Sequence, residues 1–171
     1  MKRCLFIFLL AISAHGFAQK DTLISLPMQD GKVFYQKVYE DSATKDELFL
    51  RAKDVFLRSF TNTKSVIQDQ DKEAGIISGK GYFNLKRTLI RCTIRILTKD
   101  NKYKVEIFDF YPVDITGNEG AIENNYAAAE NNYAAAKKRP RAFKSWQEFN
   151  DRVLQLIEQI RSEMNKKYTD F

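Results

Sequence analysis

From Thr88 to Thr98 the chain reads TLIRCTIRILT, and that order constrains the fold more than any other stretch. Successive side chains of a β-strand point to opposite sides of its sheet. Ile90, Cys92, Ile94 and Ile96 therefore share one face, and Leu89, Arg91, Thr93, Arg95 and Leu97 share the other. A period of two with one wholly apolar face marks a strand buried on one side. Its buried side needs a cover. Trp146, Phe149, Val153, Leu156, Ile157, Ile160 and Met164 recur at three- and four-residue steps, which makes one apolar stripe along a long helix. Stripe and strand face are each too apolar to stay in water, so each is expected to bury the other.

The remaining elements are built around this pair. Val33 to Glu40 (VFYQKVYE) is aromatic and β-branched and reads as a first strand. Thr44 and Glu47 have the spacing of a capping box, in which each side chain satisfies a backbone N–H at a helix start. Leu48, Phe49, Ala52, Val55, Phe56 and Phe60 give that helix an apolar face, and Asn62 is its expected stop. Ser65–Asp69 and Gly75–Leu85 read as strands, the second containing Gly75, Gly79 and Gly81. Gly79 and Gly81 share one sheet face, which suits close approach of a helix and a bend. Their setting within a strand argues against a phosphate-cradling loop. Asp100-Asn101 marks a hairpin turn. Lys102–Phe110 follows, with Tyr103, Val105 and Ile107 on one face and Pro112 as the expected end. Ser145 and Glu148 repeat the capping-box spacing at the start of the last helix.

Both ends of the mature domain are less regular. Residues 1–18 carry a basic start (Lys2, Arg3), an uncharged apolar run from Cys4 to Ile12, and a small-residue end at Gly16 and Ala18. This is the layout of a bacterial secretory signal peptide, so the chain is expected to be exported, to the periplasm or cell surface, and cleaved before Gln19. The run is too short to span a bilayer, and no later segment approaches that length. Cleavage removes His15, the only histidine, and Cys4, one of two cysteines, and lowers the net charge from +6 to +4 by removing Lys2 and Arg3. A chain with no histidine and one cysteine, Cys92, lacks the parts for Ser-His-Asp or Cys-His catalysis and for most zinc sites. An intrachain disulfide is excluded as well. We therefore expect no catalytic residue, no metal and no cofactor. Residues 19–32 form a polar lead-in, with Leu23, Ile24, Leu26 and Met28 able to lie against the domain and Asp30-Gly31 as a turn. Residues 33–116 hold the sheet and first helix, 117–142 a linker, and 143–168 the C-terminal helix. The linker contains a tandem duplication, ENNYAAAENNYAAA, from Glu123 to Ala136. Its seven-residue step places Tyr126 and Tyr133 on one helical face, a possible sticky stripe. A slip tolerated in a surface connection is the reading adopted here, and deletion of Glu130–Ala136 is expected to cost little. Lys137-Lys138-Arg139 and Arg141 add a small basic cluster.

Strand, helix, four strands, helix is an α+β order with one antiparallel sheet packed by two helices, and it is the topology of the TBP-like fold. The chain resembles, moreover, an exported Gram-negative domain of unknown function with that fold. The resemblance is carried by GKVFYQKVY from Gly31, TKDELFLRAKDVF from Thr44 and DKEAGIISGKGY from Asp71. It spans roughly Leu23 to Tyr111 and, more loosely, the last helix. These motifs are fold-forming, so the resemblance implies a fold and transfers no activity, cofactor or catalytic residue.

Function must then be read from surfaces. Arg91 and Arg95 share the polar face of their strand, and Lys102, Lys104 and Glu106 the polar face of the next. If these strands pair, Arg91, Arg95 and Lys104 form a cationic band suited to an anionic glycan or lipid headgroup. An ordinary solvated face laced with weak ion pairs is the alternative. Nucleic acid is not expected as a partner of an exported protein. The function expected is a non-catalytic binding or assembly module of the bacterial envelope, its partner an envelope protein or such an anionic group. The alternatives are a carrier holding a small apolar ligand between sheet and last helix and, last, a hydrolase using Asp69, Asp71, Glu73 or Asp109, which show no sign of converging. Cys92, among three isoleucines with no base to activate it, is expected to be buried and inert.

Overall fold

Two-residue turns fix the register of the sheet. Lys86 and Asn101 take left-handed backbone (φ 56° and 63°), and the residues flanking the two turns pair directly, Leu85 with Thr88 and Lys99 with Lys102. Asp30 and Gly31 both have positive φ (50° and 74°), as the tightest hairpin turns require. The computed structural model describes residues 24–59, 67–113, 120–131 and 140–166. Residues 1–18, read above as a signal peptide, and Leu23, Phe60, Asn62 and Tyr133 lie outside these residues.

In chain order the elements are β1 (Met28–Gln29), β2 (Lys32–Val33), β3 (Tyr35–Glu40), α1 (Lys45–Ser59), β4 (Ile67–Asp71), β5 (Ile76–Leu85), β6 (Thr88–Lys99), β7 (Lys102–Val113), α2 (Ile122–Asn131) and α3 (Pro140–Met164). β3 to β7 form one antiparallel sheet in the order β3-β7-β6-β5-β4, and β1 and β2 form a separate small hairpin. Thr44 caps α1 as its spacing predicts. Its N–H donates to Glu47 Oε2 at 2.8 Å, and the Glu47 N–H donates to Thr44 Oγ1 at 3.4 Å. The Thr44 N–H, together with the Thr44 hydroxyl that donates to the same oxygen at 3.0 Å, holds the Glu47 carboxyl below its usual pKa.

Helices α1 and α3 cover one face of the sheet. Leu48, Ala52 and Val55 of α1 meet Ile77, Ile94, Ile96, Val105 and Ile107 of the sheet and Val153, Ile157, Ile160 and Met164 of α3, in one core. At the other end of α3 lies a chain of rings. Phe149 makes edge contacts with Phe110 (centroids 5.1 Å) and Trp146 (6.3 Å) and a tilted one with Phe83 (6.1 Å). The alternation on β6 holds throughout: Ile90, Cys92, Ile94 and Ile96 are buried. Gly75 (φ 70°) stands where an added Cβ would lie 2.4 Å from the Thr98 carbonyl oxygen. That glycine is fixed by both backbone angle and space.

Five expectations are corrected. The first strand is interrupted at Phe34, whose N–H turns to the Pro27 carbonyl at 2.9 Å, so Val33 belongs to β2. β7 does not stop before Pro112; the proline pairs with Ile90. Beyond Ile107 that strand has no β3 residue in register on its other side, and proline, lacking an N–H, is tolerated at such a local edge. Helix α3 starts at Pro140, not at Ser145. Proline suits a first turn because its missing N–H would be unsatisfied there anyway. Ser145 and Glu148 instead face Lys86 of the β5–β6 turn, whose Nζ lies 3.5 Å from Ser145 Oγ and 2.6 Å from Glu148 Oε2. Close packing at Gly81 serves the neighbouring strand rather than a helix, since an added Cβ would meet Ile94 Cδ1 at 2.5 Å and Cys92 Sγ at 3.5 Å.

The fifth correction concerns the duplicated segment. Its first copy is helix α2 and is part of the core. Ile122 and Tyr126 are buried at 4% and 2% exposure. The Tyr126 hydroxyl donates to the Ile24 carbonyl at 2.9 Å and accepts from the Leu26 N–H at 3.3 Å. Glu123 Oε1 accepts from the Val33 N–H at 2.9 Å. One face of α2 thus fastens the lead-in and β2 to the domain. The second copy begins at Glu130 near the end of α2 and continues into residues outside the described set.

Candidate functional site

No described helix covers the second face of the sheet, and this open face carries all three predicted site residues. Register alone places them. Arg95 lies opposite Glu106, Leu97 opposite Lys104, and Arg91 opposite Tyr111. Lys80 and Tyr82 of β5 pair with Thr93 and Arg91. Directly opposed residues share a face, so the band is continuous across β5, β6 and β7.

The structure ties this band to carboxylates. Arg95 Nε donates to Glu106 Oε2 at 2.6 Å, and Lys104 Nζ lies 2.6 Å from Glu106 Oε1. Glu106 is only 3% exposed on a face without a covering helix, because the stems of its own cations lie over it. Farther along, Lys80 Nζ donates to Thr93 Oγ1 at 2.6 Å, Thr93 Oγ1 donates to Asp109 Oδ2 at 3.4 Å, and Lys32 Nζ reaches Asp109 Oδ1 at 3.4 Å. Rings lie between the cations. The Arg91 guanidinium carbon sits 5.2 Å from the centre of Tyr111, that of Arg95 sits 5.1 Å from Phe108, and Phe108 stacks on Phe34 at 5.4 Å. Such cation–ring contacts hold guanidinium planes flat against the sheet. The far side differs. Asp69 and Asp71 of β4 pair with Ser78 and Ile76 and so lie on this face, making the β4 edge acidic.

A bulge creates the aromatic part of this surface, and the sequence did not announce it. Arg91 and Thr93 of β6 stand opposite Tyr111 and Phe108 of β7, with one extra residue on β7. Asp109, with φ 53°, absorbs it. Simple alternation from Tyr103 would have turned Tyr111 inward. The bulge instead buries Phe110 (0% exposed) and sets Tyr111 outside under Arg91. An aspartate in left-handed backbone is the one residue-level hint, since Asp and Asn tolerate that conformation best after glycine.

The other chemistry-bearing residues do not assemble. Among the described residues no three His, Cys, Asp or Glu side chains group so as to hold a metal ion. Asp71 Oδ1 accepts the Ala74 N–H of its own turn. Asp109 and Asp69 are on strands three apart in the sheet order, about 14 Å at the usual strand spacing. Cys92 is fully buried, its Sγ 3.6 Å from the Gly81 carbonyl. Burial pushes its thiol pKa up to about 12. A thiol reagent at neutral pH should therefore label the native chain slowly and the denatured chain fast; rapid native labelling would mean that the faces of β6 are reversed. The shift also sets a pH dependence. Between about 9 and about 12 the unfolded thiol ionises while the native one stays neutral, so Cys92's contribution to stability is complete below that window and is lost as pH rises through it.

An open groove of about 410 Å³ runs elsewhere, between Pro27–Gln29, Phe34–Lys37 of the β3 side, and Asn150, Leu154 and Ile157 of α3. Tyr35 and Tyr39 bridge β3 to α3 through hydroxyl donation to Asn150 Oδ1 (3.0 Å) and Glu158 Oε1 (3.1 Å).

Comparison with known proteins agrees with this architecture. The crystal structure of a TBP-like protein from Parabacteroides distasonis superposes with a TM-score of 0.59 at 23% identity, covering 82% of this chain and 98% of that one. The crystal structure of a DUF4468 family protein from Bacteroides ovatus gives a TM-score of 0.65 at 18% identity, covering 85% of this chain and 94% of that one. At these identities the likeness shows the fold alone. No curated protein matches the chain. The model of the family described as a domain of unknown function (DUF4468) with TBP-like fold matches residues 34–111, the stretch that holds β3, α1 and β4 through most of β7. The fold of this chain is TBP-like, and residues 34–111 resemble the DUF4468 family.

Proposed function

We propose that this chain is an exported, non-catalytic binding module whose open sheet face takes an anionic partner, with carboxylated or sulfated envelope glycan as the favoured class. One observation carries the reading. Around the rings of Phe34, Phe108 and Tyr111, the face gathers Lys32, Lys80, Arg91, Arg95 and Lys104 against Glu106 and Asp109. Among the described residues of this patch, five cations stand around two carboxylates, and the acidic pair Asp69 and Asp71 lies apart at the β4 edge. Arginine planes suit paired oxygens of a carboxylate or sulfate, and ring faces offer sugar C–H groups apolar contact. Export rests on the layout of residues 1–18. The interior is a poorer place for a ligand, because the rings of Phe83, Phe110 and Phe149 pack against one another between the sheet and α3.

The test is titration of the processed chain with polygalacturonate, using neutral dextran as control. Binding should be selective for the polyanion and should weaken as salt rises from 50 to 300 mM, because the Debye length shrinks from about 14 Å to about 6 Å. Arg91→Gln should weaken it severalfold while leaving the circular dichroism unchanged. Equal affinity for dextran, or indifference to both salt and Arg91→Gln, would defeat the reading.

A further inference from the structure

Among the described residues no strand pairs with the outer edge of β3, and the pattern of that edge matches itself. The Asp41 N–H donates to the Asn101 carbonyl of the β7 turn at 2.9 Å, and Tyr35, Lys37 and Tyr39 are in the same phase, opposite Ile107, Val105 and Tyr103. Alternate residues of an antiparallel strand turn their backbone groups to opposite sides. Gln36, Val38 and Glu40 therefore present N–H and C=O away from β7, along the free edge. The β1 side of the chain closes only one end of that edge, where the Phe34 N–H meets the Pro27 carbonyl at 2.9 Å. Unpaired strand edges of this kind are templates for another strand.

We propose that two copies of this chain pair edge to edge through β3, about a two-fold axis at Val38. An antiparallel pairing centred there opposes each Val38 to its counterpart, Gln36 to the partner's Glu40, and Lys37 to the partner's Tyr39. The Val38 and Gln36 oppositions are favourable. Val38 is the most exposed of the large apolar residues described, at 58%, and would meet an identical side chain. The Gln36 amide would face a carboxylate, twice. Lys37 lies on the helix side and would face the partner's Tyr39, whose hydroxyl is held by its own Glu158 and whose ring lies beneath its own Arg161. Leu154, 38% exposed, lies on α3 between Asn150, which binds Tyr35, and Glu158, which binds Tyr39. It is therefore level with the axis and would meet its own copy beside the groove. Such self-complementarity is what a closed two-fold interface requires. The product is a continuous ten-stranded sheet with both open faces on the same side.

Two measurements on the processed chain decide it. In sedimentation equilibrium the chain should form a reversible dimer, and Val38→Lys should weaken the association at least tenfold, with a thermal midpoint equal to that of the wild type at dilutions where both are monomeric. In mild oxidation Val38→Cys should cross-link to a dimer, because opposed residues of a hydrogen-bonded pair lie about 5.5 Å apart at Cα, within disulfide reach. Leu57→Cys, at 54% exposure on α1, should not, and buried Cys92 adds no background. A monomer at every concentration, or a dimer that Val38→Lys leaves intact and Val38→Cys fails to trap, would overturn the proposal.

Discussion

Ile157→Asp should unfold the domain. Ile157 is 1% exposed and sits in the stripe of α3 that joins α1 and the sheet in one core. A carboxylate there would be forced among Val153, Ile160 and the sheet's isoleucines and valines, away from water. An unpartnered charge in such a place costs about 4–5 kcal/mol or more, against a total stability of roughly 5–15 kcal/mol for a domain of this size. Urea denaturation should show either no cooperative transition or a midpoint moved by several tenths of the wild-type value. A mutant that folds normally but loses a partner would show instead that the stripe of α3 is a docking surface.

Tyr126→Ala should cost about 3–5 kcal/mol, the range for emptying a buried aromatic site. The substitution removes a ring at 5.3 Å from Trp146 and the hydroxyl that bridges Leu26 and Ile24. Tyr126→Phe isolates the second loss. It leaves the Leu26 N–H unpaired in a buried place, at about 1–3 kcal/mol. Both values come from urea midpoints with an unchanged slope. A cost below 1 kcal/mol for Tyr126→Ala would restore the duplicated segment to the status of a surface connection.

Legibility followed the range of the forces involved. The strand at Thr88–Thr98, the capping box at Thr44 and the α3 stripe are local patterns, and each has a single physical solution, so the α+β order and the two-helix cover could be read directly. The α2 helix could not. Ile122, Glu123 and Tyr126 look like parts of a low-complexity run, and their role depends on Ile24, Leu26 and Val33, some 90 to 102 residues away in sequence. The i, i+3 spacing of Glu123 and Tyr126 was the one available signal. Ser145 misled for the opposite reason. Its spacing to Glu148 satisfies the capping pattern, but Lys86 engages both, and the helix had already begun at Pro140. For the open face, sequence supplied Arg91, Arg95 and Lys104. It could not supply the Asp109 bulge, which decides that Tyr111 rather than Phe110 lies under Arg91.

The most direct test is to follow the backbone amide resonances of residues 19–171 during titration with a short polygalacturonate oligomer. The account predicts shift changes concentrated on the open face of β5, β6 and β7, at Lys80, Arg91, Arg95, Lys104 and Phe108, fading toward Asp69 and Asp71 on β4. Changes confined to the groove beside Leu154, or no changes at saturating oligomer, would contradict it.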